Sequence, residues 1–166
     1  RLVVGGFEKV FEVNRNFRNE GISTRHNPEF TMLEFYVAYT DYRYLMELIP
    51  MMFLHVAQTA IGSSKVTYQG REIDFEKPYQ RLTITEAIRK YHPEFTDDIL
   101  GSREALVARL EEMNIPYKPA DGIGGLQLTL FENTTESQLF EPTFIVDYPA
   151  EVSPLARSSD SNPAIT

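Results

Sequence analysis

At 166 residues, 42% hydrophobic and 24% charged, the chain has the balance of an ordered soluble domain whose core buries about 68–70% of the extended surface. With no cysteine, disulfides and thiolate catalysis are excluded, and any metal site must use carboxylates or histidine. The net charge of −8, from 16 Lys and Arg against 24 Asp and Glu, argues against a basic nucleic-acid surface over the whole chain.

Residues 1–7 (RLVVGGF) end in Gly5-Gly6, a plausible helix exit. Residues 8–18 alternate: Phe11, Val13, Arg15 and Phe17 point one way, Glu12, Asn14, Asn16 and Arg18 the other. A second strand is expected over 30–39, with Phe30, Met32, Glu34, Tyr36 and Ala38 on one face. The connection of about ten residues, 19–29, far exceeds the usual hairpin turn and invites a functional explanation. Beyond Asp41 the period becomes helical, with Tyr42, Leu45, Ile49, Met52, Phe53, Val56 and Ala60 forming an apolar stripe. Pro50 predicts a kink or two shorter helices. The stretch LMELIPMMFLHVA (45–57) is the greasiest, yet Glu47 and Pro50 interrupt it, so no membrane span is expected.

A small hairpin turning at Gln69-Gly70 is expected over 65–75. Thr83 and Glu86 fit a capping box for a helix that ends before Pro93. Ser102 precedes another helix with Leu106, Val107, Leu110 and Met113 on one face. After a loop at 114–121, one helix is expected within 124–140 and a strand near 143–148. The tail 149–166 is irregular, broken by Pro149, Pro154 and Pro163. Residues 83–121 are alternatively a helical insertion attached to the sheet.

Several residues attract a chemical reading beside a plainer one. Glu34, among Met32, Leu33 and Phe35, is costly unless a cation meets it; the plainer alternative is an internal pair with arginine or an exposed edge. Arg18 offers a planar fork suited to phosphate or carboxylate, or a salt bridge to Glu20 or Glu12. Arg15, Arg18, Arg25 and His26 lie within twelve positions and together suit a phosphate, although a lone loop histidine is commonly just surface. Phe30 either packs under a flat heterocycle or belongs to the core. His55 and His92 are read as packing or surface residues. The sequence has no histidine pair spaced for zinc, no Walker loop and no identifiable Ser-His-Asp set.

FRNEGISTRHNPEFTMLEFYVAYTDY (17–42) resembles motif 2 of class II lysyl-tRNA synthetases, and PTFIVDYPAEVSPLAR (142–157) resembles a later segment of that family. The likeness covers essentially the whole chain. It implies an α+β fold, the antiparallel sheet of class II aminoacyl-tRNA synthetases with flanking helices, truncated here. Residues 1–166 then form a partial catalytic domain: a motif 2 hairpin over 8–40, a helical and small-hairpin region over 41–141, and a strand with irregular tail over 142–166.

The resemblance also assigns roles. Arg18 matches the arginine that grips the ATP α-phosphate and the amino-acid carboxylate. Glu20 matches the residue that contacts the adenine amino group, Arg25 and His26 those that handle the outer phosphates, and Phe30 the aromatic stacked on adenine. Glu34 and Tyr36 match the residues that recognise the lysine side chain. It implies ATP, L-lysine and tRNA(Lys) as substrates, Mg2+ with ligands mostly outside this segment, a cytoplasmic location, and a homodimer through a motif 1 that the segment lacks. No metal ligand is assigned within the chain, and none of Glu151, Ser153 and Arg157 receives a chemical role. The segment alone is expected to be nearly inactive. Two rival readings are a paralogue that modifies a protein lysine and a non-catalytic domain on the same fold.

Overall fold

The computed structural model describes residues 1–166 except Glu20 and Arg25, so two residues to which the resemblance assigns ATP contacts lie outside the described residues. The chain divides into two compact units, Arg1–Leu48 and Ile49–Thr166.

In the first unit, residues 1–7 form a turn closed by Gly5 N–H donating to Arg1 O at 2.8 Å. Gly6 sits at φ 103°, where a side chain would be strained. Strands β1 (Lys9–Phe17) and β2 (Glu29–Val37) pair antiparallel along their full lengths. Their bounds fall within two residues of those expected from alternation. Pairing continues one step beyond each end, with Ala38 N–H donating to Glu8 O at 2.8 Å and Arg18 N–H to Pro28 O at 3.0 Å. Helix α1 (Tyr42–Ile61) begins in this unit and continues into the second.

Pro50 does not split α1 into two helices, because the helix runs unbroken through it. By length and composition α1 passes the test for a membrane-crossing helix, a test that core helices of soluble proteins also pass; Arg43, Glu47 and Pro50 lie within its span. In the second unit, β3 (Lys65–Tyr68) and β4 (Arg71–Asp74) make the expected hairpin. Gln69 and Gly70 have φ of 49° and 77°, the two positive values that a two-residue turn of matching twist requires.

Strand β5 (Gln80–Thr83) runs directly into α2 (Ile84–Tyr91). Thr83 ends the strand and caps the helix: its Oγ1 accepts the Glu86 N–H at 3.2 Å, while its own N–H donates to Glu86 Oε2 at 2.8 Å. A single-turn helix, α3 (Asp97–Leu100), follows; the sequence reading did not anticipate it. Ser102 caps α4 (Arg103–Glu112) through Ala105 N–H at 3.2 Å. That helix closes with Asn114 at φ 56°, where Ile115 N–H reaches Leu110 O at 2.8 Å and Asn114 N–H reaches Glu111 O at 3.0 Å. These are the paired bonds of a left-handed helix stop.

Helix α5 covers Ile123–Thr134 and stops short of the expected 140, giving way to a 3-10 turn at Glu136–Gln138. Strand β6 (Thr143–Val146) pairs parallel to β5. The expected mixture of helix and strand is present, but among the described residues the strands form two antiparallel hairpins and one parallel pair as separate two-stranded sheets, not one antiparallel sheet. Ile84, Ile88, Leu106, Leu110, Leu126 and Leu130 form the buried centre between α2, α4 and α5. Met113, expected on the buried face of α4, is 42% exposed because it is the residue that ends the helix. The tail is irregular as expected, yet Thr166 N–H donates to Tyr148 O and Ala150 N–H to Ala164 O, each at 2.9 Å.

Candidate active site

Residues opposite one another in an antiparallel pair share a face. The register sets Asn16 against Phe30, Asn14 against Met32, Glu12 against Glu34 and Val10 against Tyr36. The polar side of β1 and the Phe30–Tyr36 side of β2 are therefore one surface. Side-chain bonds agree, since Asn16 Nδ2 donates to Asn14 Oδ1 at 3.0 Å and lies 3.4 Å from Met32 Sδ.

Arg18 stands one step past β1, with its guanidinium carbon 5.4 Å from the centre of the Phe30 ring. That distance suits a cation over an aromatic face. Arg18 lies six positions along the strand from Glu12, the partner of Glu34, or about 20 Å at the rise of a strand. The two charges share a face but are too far apart to pair directly. Among the described residues neither Glu12 nor Glu34 has an ion pair or a hydrogen-bonded partner for its carboxylate. Arg15 leaves the cationic group read from sequence: it stands opposite Thr31 on the other face and meets Glu29 at 3.7 Å.

A cavity of about 280 Å3 lies at the carboxylate end, with Leu2, Val3 and Val10 as apolar walls and Glu12, Glu34 and Tyr36 as polar ones; Arg1 and Phe11 complete its border. Like charges directly across a strand pair oppose folding, so an ammonium between Glu12 and Glu34 would relieve them. Glu12 is the residue that sequence reading did not assign to this end. The alternation placed it on the correct face, but only the register shows that it meets Glu34.

At the other end, the connecting loop holds a compact turn. Ser23 N–H donates to His26 O at 3.0 Å, and His26 N–H reaches Ser23 Oγ at 3.0 Å. The same Oγ lies 3.0 Å from His26 Nδ1. His26 is thus fixed at both backbone and ring within a few residues of Arg18 in the chain. Among the described residues no three His, Asp or Glu side chains cluster.

A cavity of about 580 Å3 in the second unit contains none of these residues. On its wall Glu151 accepts a hydrogen bond from Gly125 N–H at the start of α5. That is a structural duty for a residue left unassigned from sequence: it satisfies an amide that the first turn of a helix leaves open. The Gly-Gly at 124–125 was the available signal. His92 is also structural, its Nε2 lying 3.1 Å from Thr134 O at the end of α5, and His55 is exposed.

The family model described as tRNA synthetases class II (D, K and N) matches residues 1–165. A lysine--tRNA ligase of Thiobacillus denitrificans is 63% identical over 166 residues, covering 100% of this chain and 33% of its own length. The lysine--tRNA ligase of Nitrosomonas europaea is 62% identical with the same coverage, and that of Legionella pneumophila (strain Paris) is 56% identical, over 100% of this chain and 34% of its own. The chain spans about a third of the length of the curated relatives it matches.

Proposed function

The chain belongs to the class II tRNA synthetase family of the D, K and N type, and from that premise we propose that it carries the ATP- and lysine-holding hairpin of a lysine--tRNA ligase. The observation that carries the reading is the single face with an arginine over an aromatic ring at one end and unpartnered carboxylates beside a cavity at the other. Nucleotide phosphates belong at the first end and a ligand ammonium at the second. A substrate with a carboxylate at one extremity and an amine at the other, as lysine has, matches the charges of the two ends. The chain is then the central part of a catalytic domain built on the class II antiparallel sheet.

In the reaction, a lysine carboxylate oxygen attacks the α-phosphorus of ATP. The new O–P bond forms as the bond to pyrophosphate breaks, leaving lysyl-adenylate. The attacking carboxylate is already ionised at neutral pH, so no general base is needed. The protein's task is to hold two anions together and offset their charge. Arg18 bridges the α-phosphate and the carboxylate, its planar fork matching both. Phe30 stacks on adenine, and His26 reaches the outer phosphates; Glu20 and Arg25 belong to the same nucleotide group. Glu34, with Tyr36, receives the lysine ammonium, and Glu12 adds a second negative charge across the ladder. A hydroxyl at the 3′ end of tRNA(Lys) then attacks the lysyl carbonyl and releases AMP. Magnesium would accompany the nucleotide and offset part of its charge. We infer a cytoplasmic, homodimeric complete protein, and near-zero activity for the 166-residue chain alone because the remaining positioning groups are missing.

The test is lysine-dependent ATP–pyrophosphate exchange by the full-length protein, wild type and Glu34→Gln. Exchange should require lysine, and the variant should lose about 10- to 100-fold in kcat/KM for lysine, the worth of a charged hydrogen bond. Exchange without lysine, or an unchanged variant, would refute the assignment. Charging of tRNA(Lys), as opposed to modification of a protein lysine, separates this reading from the paralogue.

A further inference from the structure

The turn Ser23–His26 carries more than the loop's path. Ser23 Oγ lies 3.0 Å from both the backbone nitrogen and the Nδ1 of His26. The amide can only donate, so Oγ accepts there. A hydroxyl has one proton, and the neutral imidazole has one donor nitrogen and one acceptor. If the Oγ proton goes to Nδ1, then Nε2 carries the ring hydrogen and becomes the donor on the side away from Ser23. If Nδ1 held the hydrogen instead, Nε2 would turn a lone pair outward and repel an anion. A polyphosphate beside His26 therefore selects the first arrangement, and Ser23 completes it.

We propose that Ser23 is a positioning residue for ATP: it holds the His26 ring in place and in the Nε2–H form, so that the ring donates to the nucleotide's outer phosphates. This rests on the assignment of the hairpin to ATP binding. The backbone bonds between Ser23 and His26, 3.0 Å in one direction and 3.3 Å in the other, fix the turn independently of the hydroxyl. Removing the hydroxyl should therefore free the ring before it disturbs the loop. Threonine retains the hydroxyl on the same β-carbon and should retain the function.

The experiment uses the full-length protein and ATP–pyrophosphate exchange with ATP varied at saturating lysine. Ser23→Ala should raise the KM for ATP about three- to tenfold, the worth of one hydrogen bond, with kcat and the KM for lysine nearly unchanged. Ser23→Thr should restore the ATP KM. His26→Ala should raise it at least as far, and Ser23→Ala combined with His26→Ala should raise it by less than the product of the two separate effects, because the proposed role of the Ser23 hydroxyl runs through the ring. If His26→Ala weakens ATP while Ser23→Ala does not, or if the two effects multiply, the role of Ser23 is overturned and the ATP reading stands. If His26→Ala leaves the ATP KM unchanged, both the role of Ser23 and the assignment of this loop to the phosphates fall together.

Discussion

Arg18 is worth more for its shape than for its charge. Its backbone N–H is held by Pro28 O at 3.0 Å, so the residue is anchored beside the loop while its guanidinium extends toward Phe30. A lysine at this position would keep the charge but lose the planar fork and the stacking. Arg18→Lys in the full-length protein should therefore lower kcat for adenylate formation about 100-fold, as expected when a donor to the developing charge is lost, and pre-steady-state measurement of adenylate would show it. Glu12 has a subtler place. As the carboxylate opposite Glu34, it costs stability unless a cation lies between them; under the proposed function that cation is the lysine ammonium. Glu12→Gln should stabilise the unliganded protein by a few tenths of a kcal/mol while raising the KM for lysine, a pair of opposite signs that calorimetry and exchange kinetics can separate.

At the level of the elements, the capping box of α2 offers the clearest stability test. Thr83→Ala removes the hydroxyl that accepts Glu86 N–H and should cost about 1 kcal/mol, measured by urea unfolding near neutral pH. The Thr83 backbone N–H, and secondarily its hydroxyl, hold the Glu86 carboxyl below the ordinary glutamate range. A folded pKa below the unfolded one means that the folded state favours the carboxylate. Its contribution is complete above the ordinary value of about 4.3 and is lost as pH falls through the lowered folded value. Because Glu86 is exposed, the effect is small, and Glu86→Gln should flatten the acid side of the stability profile only slightly.

Elements governed by neighbours in the chain were legible from sequence: the alternation of β1 and β2, the Gln69-Gly70 turn, and the cap at Thr83. Of the two strands that pair across a long separation, β6 was expected and β5 was not. Strand β5 has four residues and finds its partner in β6, far along the chain. Its alternation is too short to declare a strand, and nothing local specifies a parallel neighbour. The candidate site divides in the same way. Periodicity assigned Arg18, Phe30, Glu34 and Tyr36 to faces and already set Arg15 on the side away from Arg18, but the opposition of Glu12 to Glu34 required the register. The unbroken course of α1 through Pro50 shows the limit of a local rule, since one missing amide proton need not end a helix of 20 residues when the flanking turns keep theirs.

On the scale of the whole molecule, the second unit is organised around the start of α5. A Cβ on Gly125 would stand 2.9 Å from Glu151 Oε1 and 3.0 Å from Asp121 Cβ, and one on Gly124 would run into the Pro149 ring. The segment after β6 is thus seated against a helix end that has no room for side chains. Gly124→Ala should destabilise this unit by about 1–3 kcal/mol, the cost of forcing an added methyl group into a filled site, and a denaturant midpoint would register it. The parallel pairing of β5 with β6 also has a consequence for synthesis. Thr83 leaves the ribosome roughly sixty residues before Thr143, near its eventual partner strand. At about 5–20 residues per second, β5 waits on the order of 3–12 s as an unmatched ribbon, while the helices between the two strands emerge and must find one another first.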